Sequence, residues 1–79
     1  MEKLIKFIAS SLVDKPEAIK ISKQQNPATG LIFYTLAVAP DDMGKIIGKK
    51  GKIIKAIRTL VNLKASLTGQ KIVFNLQQD

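Results

Sequence analysis

The residues with the clearest chemical potential in this 79-residue sequence are two glycines that flank two lysines, Gly48-Lys49-Lys50-Gly51, with isoleucines on both sides. Glycine accepts a positive φ angle and has no Cβ atom, so another molecule's backbone can approach it closely. The lysines supply positive charge. A helix that begins at Gly51 or Lys52 would also direct unpaired N–H groups at the same place. The stretch therefore predicts a site that holds phosphate groups.

Two common nucleotide-binding motifs do not fit this stretch. A Walker A loop ends in Gly-Lys-Ser/Thr, but the Gly-Lys pairs at Gly48 and Gly51 are followed by Lys and Ile. A dinucleotide-binding turn needs a glycine two residues before Gly48, and that position holds Ile46. We therefore expect neither a nucleotide cofactor nor a small-molecule substrate.

The composition favours a polyanionic partner and argues against catalysis. Thirteen Lys and Arg residues against six Asp and Glu residues give a net charge of +7. Such a protein gains affinity for nucleic acid when its cations neutralise phosphates and release counterions. The sequence has no Cys and no His, which removes thiolate nucleophiles, histidine bases and ordinary zinc sites. We expect a binding protein, not an enzyme, with no metal or cofactor.

Length and hydropathy predict one small folded domain over residues 1–79. An apolar fraction of 46% is ordinary for a folded chain and too high for a disordered one. No apolar run approaches the roughly 20 residues that cross a bilayer, and the N-terminus lacks the features of a signal peptide. We expect a cytoplasmic protein without membrane insertion.

The pattern of apolar residues predicts six elements in the order αββααβ. Helical spacing predicts a first helix over residues 2–13, and alternation predicts strands over 17–25 and 71–76. An almost unbroken apolar and aromatic run predicts another strand over 31–38. A short helix over 40–47, capped by Asp41 or Asp42, precedes the glycines, and a long helix follows them to about Ala65. Its predicted core side holds Ile53, Ile54, Ile57, Leu60 and Val61.

The opposite side of the long helix is basic. Lys52, Lys55 and Arg58 lie there, with the lysines in the first turns, where the helix dipole disfavours positive charge. This placement makes sense if an anion binds at the start of the helix. A lysine face that is simply solvated remains the alternative reading.

The stretch from Ile47 to Ile54 resembles the IGxxGxxI signature of the KH domain, in which the loop joins two helices of a βααβ core. An extra helix and strand before the core are typical of type II KH domains. Residues 13–18, 38–45 and 55–60 also resemble the small bacterial single-KH proteins of the KhpA-like family. The resemblance implies an α+β fold with a three-stranded sheet and three helices on one face.

The resemblance also implies a mechanism. The loop from Gly48 to Gly51 would hold the backbone of about four unpaired RNA nucleotides in an apolar cleft. Residues of the second strand would help to wall that cleft. Phe7, Phe33 and Phe74 are expected in the core, so no broad stacking platform is predicted. The other expected contacts are the cleft walls Ile46, Ile47 and Ile54 and the cations Lys45, Lys52, Lys55 and Arg58.

A single cleft of this kind should bind weakly, so a second site on another chain would be needed for useful affinity. The resemblance implies pairing with itself or with a larger KH-containing protein, and a role as RNA chaperone or post-transcriptional regulator. Two alternatives stay open. One is a protein-interaction subunit in which RNA contact is incidental; the other is binding to single-stranded DNA, because no residue identifies a contact to the 2′-hydroxyl.

Overall fold

The computed structural model describes residues 1–77. Its helices are α1 (Glu2–Leu12), α2 (Met43–Ile47) and α3 (Lys52–Thr68), and its strands are β1 (Lys20–Gln25), β2 (Ile32–Ala37) and β3 (Ile72–Leu76). Short 3₁₀ turns at Pro16–Ala18, Pro40–Asp42 and Lys49–Gly51 precede β1, α2 and α3. The predicted order αββααβ is confirmed, although β1 starts later and α3 ends later than predicted.

The sheet has β2 in the middle and β1 and β3 at its edges. β1 runs antiparallel to β2, and β3 runs parallel to it, with Tyr34 beside Phe74. Alternate residues of β2 are buried, because the three helices cover only one face of the sheet. The α+β class and the helices on one face are therefore confirmed. Among residues 1–77, no helix is long and apolar enough to cross a membrane.

Three aromatic and apolar residues lie outside the core that was predicted for them. Phe7 is 71% exposed, because it follows Ile5 by two residues and points to the far side of α1. Leu60 is 48% exposed, since it lies about 100° around the helix from the buried Val61. Phe33 is half-buried on the uncovered face of the sheet. The prediction for Phe74, which is buried, is confirmed.

Asp42 is fully buried and does not cap the short helix, contrary to prediction. Its two carboxylate oxygens accept hydrogen bonds from the backbone N–H groups of Asp14, at 3.2 Å, and Lys15, at 3.0 Å. The ammonium of Lys45 lies 3.6 Å from the same carboxylate and also donates to the side chain of Asp14. Asp42 thus ties the segment after α1 to the start of α2, which leads into the glycine loop.

The surroundings of Asp42 favour its ionised form. Burial alone would raise the pKa of Asp42, but the N–H groups of Asp14 and Lys15 and the charge of Lys45 outweigh it and lower the pKa. The pKa of Lys45 is raised, chiefly by its hydrogen bond to Asp14. The folded state therefore holds this carboxylate charged.

We predict that Asp42→Asn lowers the unfolding temperature at neutral pH, because an amide cannot accept two N–H groups as well as a carboxylate does. Since the pKa of Asp42 is lowered on folding, its contribution is present above the ordinary aspartate pKa of about 4 and is lost as the pH falls through the lowered value. The difference in unfolding temperature between wild type and Asp42→Asn should therefore become smaller at acid pH. Thermal unfolding followed by circular dichroism from neutral to acid pH measures it.

Asp41→Asn is the matched control. Asp41 is exposed and reaches only Lys15, at 3.3 Å, so this change should alter stability by no more than about 0.5 kcal/mol. Equal losses in the two variants would contradict the role given to Asp42.

Candidate nucleic-acid interface

The loop between α2 and α3 is a single tight turn. The N–H of Gly48 donates to the carbonyl of Gly44 at 2.9 Å and ends α2. The N–H of Gly51 then donates to the carbonyl of Gly48 at 3.1 Å. α3 begins at Lys52, as predicted, with Gly51 in the left-handed region as its N-cap residue. The two glycines therefore mark the two ends of the turn.

Gly48 is required by both its backbone and its neighbour. Its φ of 76° and ψ of 173° lie in a region that side chains essentially exclude. A Cβ atom there would also lie 2.5 Å from Cγ1 of Ile53, far inside van der Waals contact. Gly51 differs, because a Cβ would meet only Cγ2 of Ile54, at 4.0 Å, and the constraint is its φ of 73° alone.

The start of α3 presents positive potential that the protein does not neutralise. No side chain caps the helix, and its first turn has no acidic residue, so no carboxylate offsets the positive end of the helix dipole. Lys49, Lys50 and Lys52 are exposed around it. Within residues 1–77, the ion pairs involve only Lys15 and Lys45 among the cations. The turn is thus a suitable place for an anion.

The positive path continues along α3. Lys55 and Arg58 are exposed on the basic side of α3, about one and two turns after Lys52. Arg58 follows Lys52 by six positions, which corresponds to about 9 Å along the helix axis. The spacing allows one extended polyanion to contact the loop and the helix together.

A groove lies at the far end of this path. It has a volume of about 350 Å³ and is lined by Arg58 and Asn62 of α3 and by residues 72–75 of β3. The sequence analysis placed part of the cleft wall on the second strand, whereas this groove is lined by β3. β2 is the central strand and has a neighbour on both sides, whereas β3 is an edge strand. Asn62 and the residues of β3 were not among the predicted contacts.

The predicted cleft residues divide into two groups. Ile46 is 0% exposed and Ile54 is 9% exposed, so both belong to the core and offer little surface to a ligand. Ile47, beside the loop, is half-buried and retains some exposed surface. Lys45 forms ion pairs with Asp14 and Asp42, which neutralise its positive charge within the protein. The loop, Lys52, Lys55 and Arg58 remain together on one surface.

A Gly-Lys-Lys-Gly turn between two helices, within a βααβ core preceded by a helix and a strand, defines a KH domain of type II. Comparison with known proteins agrees: the family model for the KhpA/KhpB KH domain matches residues 2–76. The chain belongs to this family.

Curated relatives cover nearly the whole chain. It is 43% identical to "RNA-binding protein KhpA" of Clostridium perfringens, over 96% of this chain and 99% of that protein. It is 42% identical to the protein of the same name from Chlamydia trachomatis, over 100% of this chain and 99% of that protein. The protein of that name from Oceanobacillus iheyensis is 52% identical over 77% of this chain and 79% of its own length.

We predict that Gly48→Ala destabilises the fold by about 1–3 kcal/mol, because the new methyl group would enter Ile53 and the backbone would be strained. Chemical denaturation measures this difference. Gly44→Ala is the control, since a Cβ at Gly44 would meet nothing within 4 Å. That change should leave stability unaltered or raise it by up to about 1 kcal/mol. Equal stability of Gly48→Ala and wild type would contradict the packing described for the loop.

Proposed function

We propose that this protein is a non-catalytic RNA-binding module that grips the backbone of single-stranded RNA with the loop Gly48-Lys49-Lys50-Gly51. The observation that carries the proposal is the start of α3, which no side chain caps and around which Lys49, Lys50 and Lys52 are exposed. A phosphate at this position would be stabilised by the helix dipole and by charge-assisted hydrogen bonds from the lysines. The curated relatives are named RNA-binding proteins, which agrees with this assignment.

The groove between α3 and β3 is the proposed place for the bases. Ile72 and Val73 offer an apolar wall, and the amide of Asn62 can both donate and accept hydrogen bonds. The outer edge of β3 has no neighbouring strand among the described residues, so its backbone groups are available as well. From Lys52 to Asn62 the helix extends about 15 Å. This length suits the few nucleotides that a KH loop holds.

The wider role is also a proposal. We propose an RNA chaperone or post-transcriptional regulator of the bacterial cytoplasm that acts with a second copy or with a larger KH-containing protein. A groove for a few nucleotides binds weakly on its own, and a second groove in the same complex would raise the affinity by effective concentration. The family model, which spans KhpA and KhpB proteins, is consistent with such partners.

We predict that changing Lys49 and Lys50 together to Asp abolishes salt-sensitive binding to short single-stranded RNA and leaves the fold intact. Both side chains are exposed, so the loss would come from repulsion of the phosphates. Fluorescence anisotropy with a labelled oligonucleotide at several salt concentrations measures it. The same titrations with DNA of matched sequence show whether the 2′-hydroxyl contributes.

The control for this variant is the change of Lys3 and Lys6 to Asp. These exposed lysines lie on α1, and their replacement changes the net charge by the same amount. RNA binding should weaken only modestly in this control. Undiminished binding by the loop variant, or equal losses in both variants, would contradict a specific grip by the loop.

Two polar residues that line the groove, Arg58 and Asn62, should have separable effects on RNA binding. We predict that Arg58→Ala weakens binding to all RNA sequences and reduces the slope of log affinity against log salt by about 1, because one phosphate contact is lost. Asn62→Ala should leave that slope unchanged and narrow the differences in affinity between oligonucleotides of different base composition. An unchanged base preference in Asn62→Ala would exclude Asn62 from reading bases.

A further inference from the structure

One face of the sheet is not covered by helices, and β2 runs along its middle. Residues 32, 34 and 36 of β2 are buried beneath the helices, so Phe33 and Thr35 lie on the opposite face, where both are half-buried. The strand register adds a neighbour from β1 and a neighbour from β3 to each of them. The two rows across the centre of the uncovered face are therefore Gln24-Phe33-Val73 and Ser22-Thr35-Asn75.

The chemistry of these rows suits unpaired nucleotides. Phe33 offers an aromatic ring, and Val73 beside it extends the apolar surface. The other members of the rows are two amides and two hydroxyls, which can donate and accept hydrogen bonds with base edges and ribose. Sheet surfaces on which bases stack against an aromatic side chain hold single-stranded RNA in other folds. The exposed ring of Phe33 can take the same role for one base.

The charge on the sheet favours a polyanion over an acidic protein surface or an uncharged partner. None of the three strands contains Asp or Glu. Lys20 lies beside Ala37 on the uncovered face. Lys71 immediately precedes β3, and its carbonyl accepts the N–H of Ile32 at 2.9 Å, so strand alternation places its side chain on the same face. Both lysines are exposed, and the ion pairs within residues 1–77 involve neither of them.

The uncovered face continues the proposed RNA path, because it meets the groove at β3. Val73 and Asn75 belong to the rows described above, yet both also line the groove beside Arg58 and Asn62. They can do so because β3 is an edge strand, whose open side gives access to residues of both faces. Phe33 lies one strand spacing, about 4.8 Å, behind Val73. An RNA strand that leaves the groove over β3 can therefore reach Phe33 with its next nucleotides.

We propose that the uncovered face is a second RNA subsite, which receives the nucleotides next to those held in the groove and stacks a base on Phe33. The inference rests on the proposed binding of RNA at the loop and groove, and it extends that path around the edge of the sheet. The amides of Gln24 and Asn75 contact base edges, and Lys71 contacts the phosphate backbone. RNA of about four nucleotides fills the groove alone, and longer RNA uses both parts.

The first experiment compares RNA of two lengths. Fluorescence anisotropy with oligouridine of four and of eight nucleotides gives the affinity of each for wild type and for Phe33→Leu. Leucine keeps an apolar side chain on the strand and removes the aromatic ring. Phe33→Leu should weaken binding of the longer RNA by at least about fivefold, as expected for one lost base stack, and leave binding of the shorter RNA unchanged. The longer RNA also offers more overlapping positions to the groove, but this gain is the same in both proteins.

Phe33→Trp gives a direct readout of stacking, because the sequence contains no tryptophan. An indole ring stacks on bases as a phenyl ring does, so this variant should bind the longer RNA at least as tightly as wild type. Its fluorescence should be quenched when the longer RNA binds and should be unchanged by the shorter RNA. Fluorescence that stays unchanged at saturation with the longer RNA would overturn the proposal.

Lys71→Gln and Lys23→Gln form a matched pair that tests the backbone contact. Both lysines are exposed, but Lys23 lies beside Tyr34 and therefore on the other face of the sheet. For the longer RNA, Lys71→Gln should reduce the slope of log affinity against log salt by about 1, and Lys23→Gln should leave it unchanged. Equal slopes in the two variants would overturn the contact assigned to Lys71.

The remaining outcomes separate this subsite from the proposed function. If Phe33→Leu binds both lengths as wild type does, or loses the same factor for both, the subsite is wrong and the loop and groove still stand. Undiminished RNA binding by Phe33→Leu together with weaker self-association in light scattering would assign the face to a second copy of the chain instead. If wild type binds neither length, the proposed function fails and the subsite fails with it.

Discussion

The side chain of Ile53 occupies the space that a Cβ atom on residue 48 would need, 2.5 Å from where that atom would lie. This contact lets α2 and α3 approach closely and fixes the turn between them. Because Gly48 also has a positive φ, the turn can be made only with glycine at that position. This short turn leaves the side chains of Lys49 and Lys50 exposed beside the start of α3.

A buried carboxylate fixes the other end of α2. Asp42 accepts two backbone N–H groups from the segment that follows α1, and Lys45 balances its charge. The helix is only five residues long and would not be stable alone. Its position therefore depends on Asp42 at one end and on the contact between Gly48 and Ile53 at the other. Both contacts position the loop without using the side chains of Lys49 and Lys50, which are proposed to bind RNA.

The sequence predicted those features that depend on local pattern. The helical and strand patterns of apolar residues, including the apolar run of β2, sufficed for the element order, and the glycine spacing sufficed for the turn between α2 and α3. Features that depend on tertiary packing were missed. Nothing local distinguishes Asp42, which is buried, from Asp41, which is exposed. Similarly, the groove could be assigned to β3 only once β2 was known to lie between two neighbouring strands. Leu60 lies at the edge of the apolar stripe of α3, and the width of the buried part of that stripe depends on packing.

The most direct test of RNA binding at the loop and groove is a titration of ¹⁵N-labelled protein with a short single-stranded RNA, followed by NMR. Amide signals of Gly48, Lys49, Lys50, Gly51 and Lys52, together with those of residues 72–75 in β3, should shift with one common binding curve. Signals of α1 should remain in place. RNA-dependent shifts confined to α1 or to the uncovered face of the sheet, with the loop unchanged, would contradict this site.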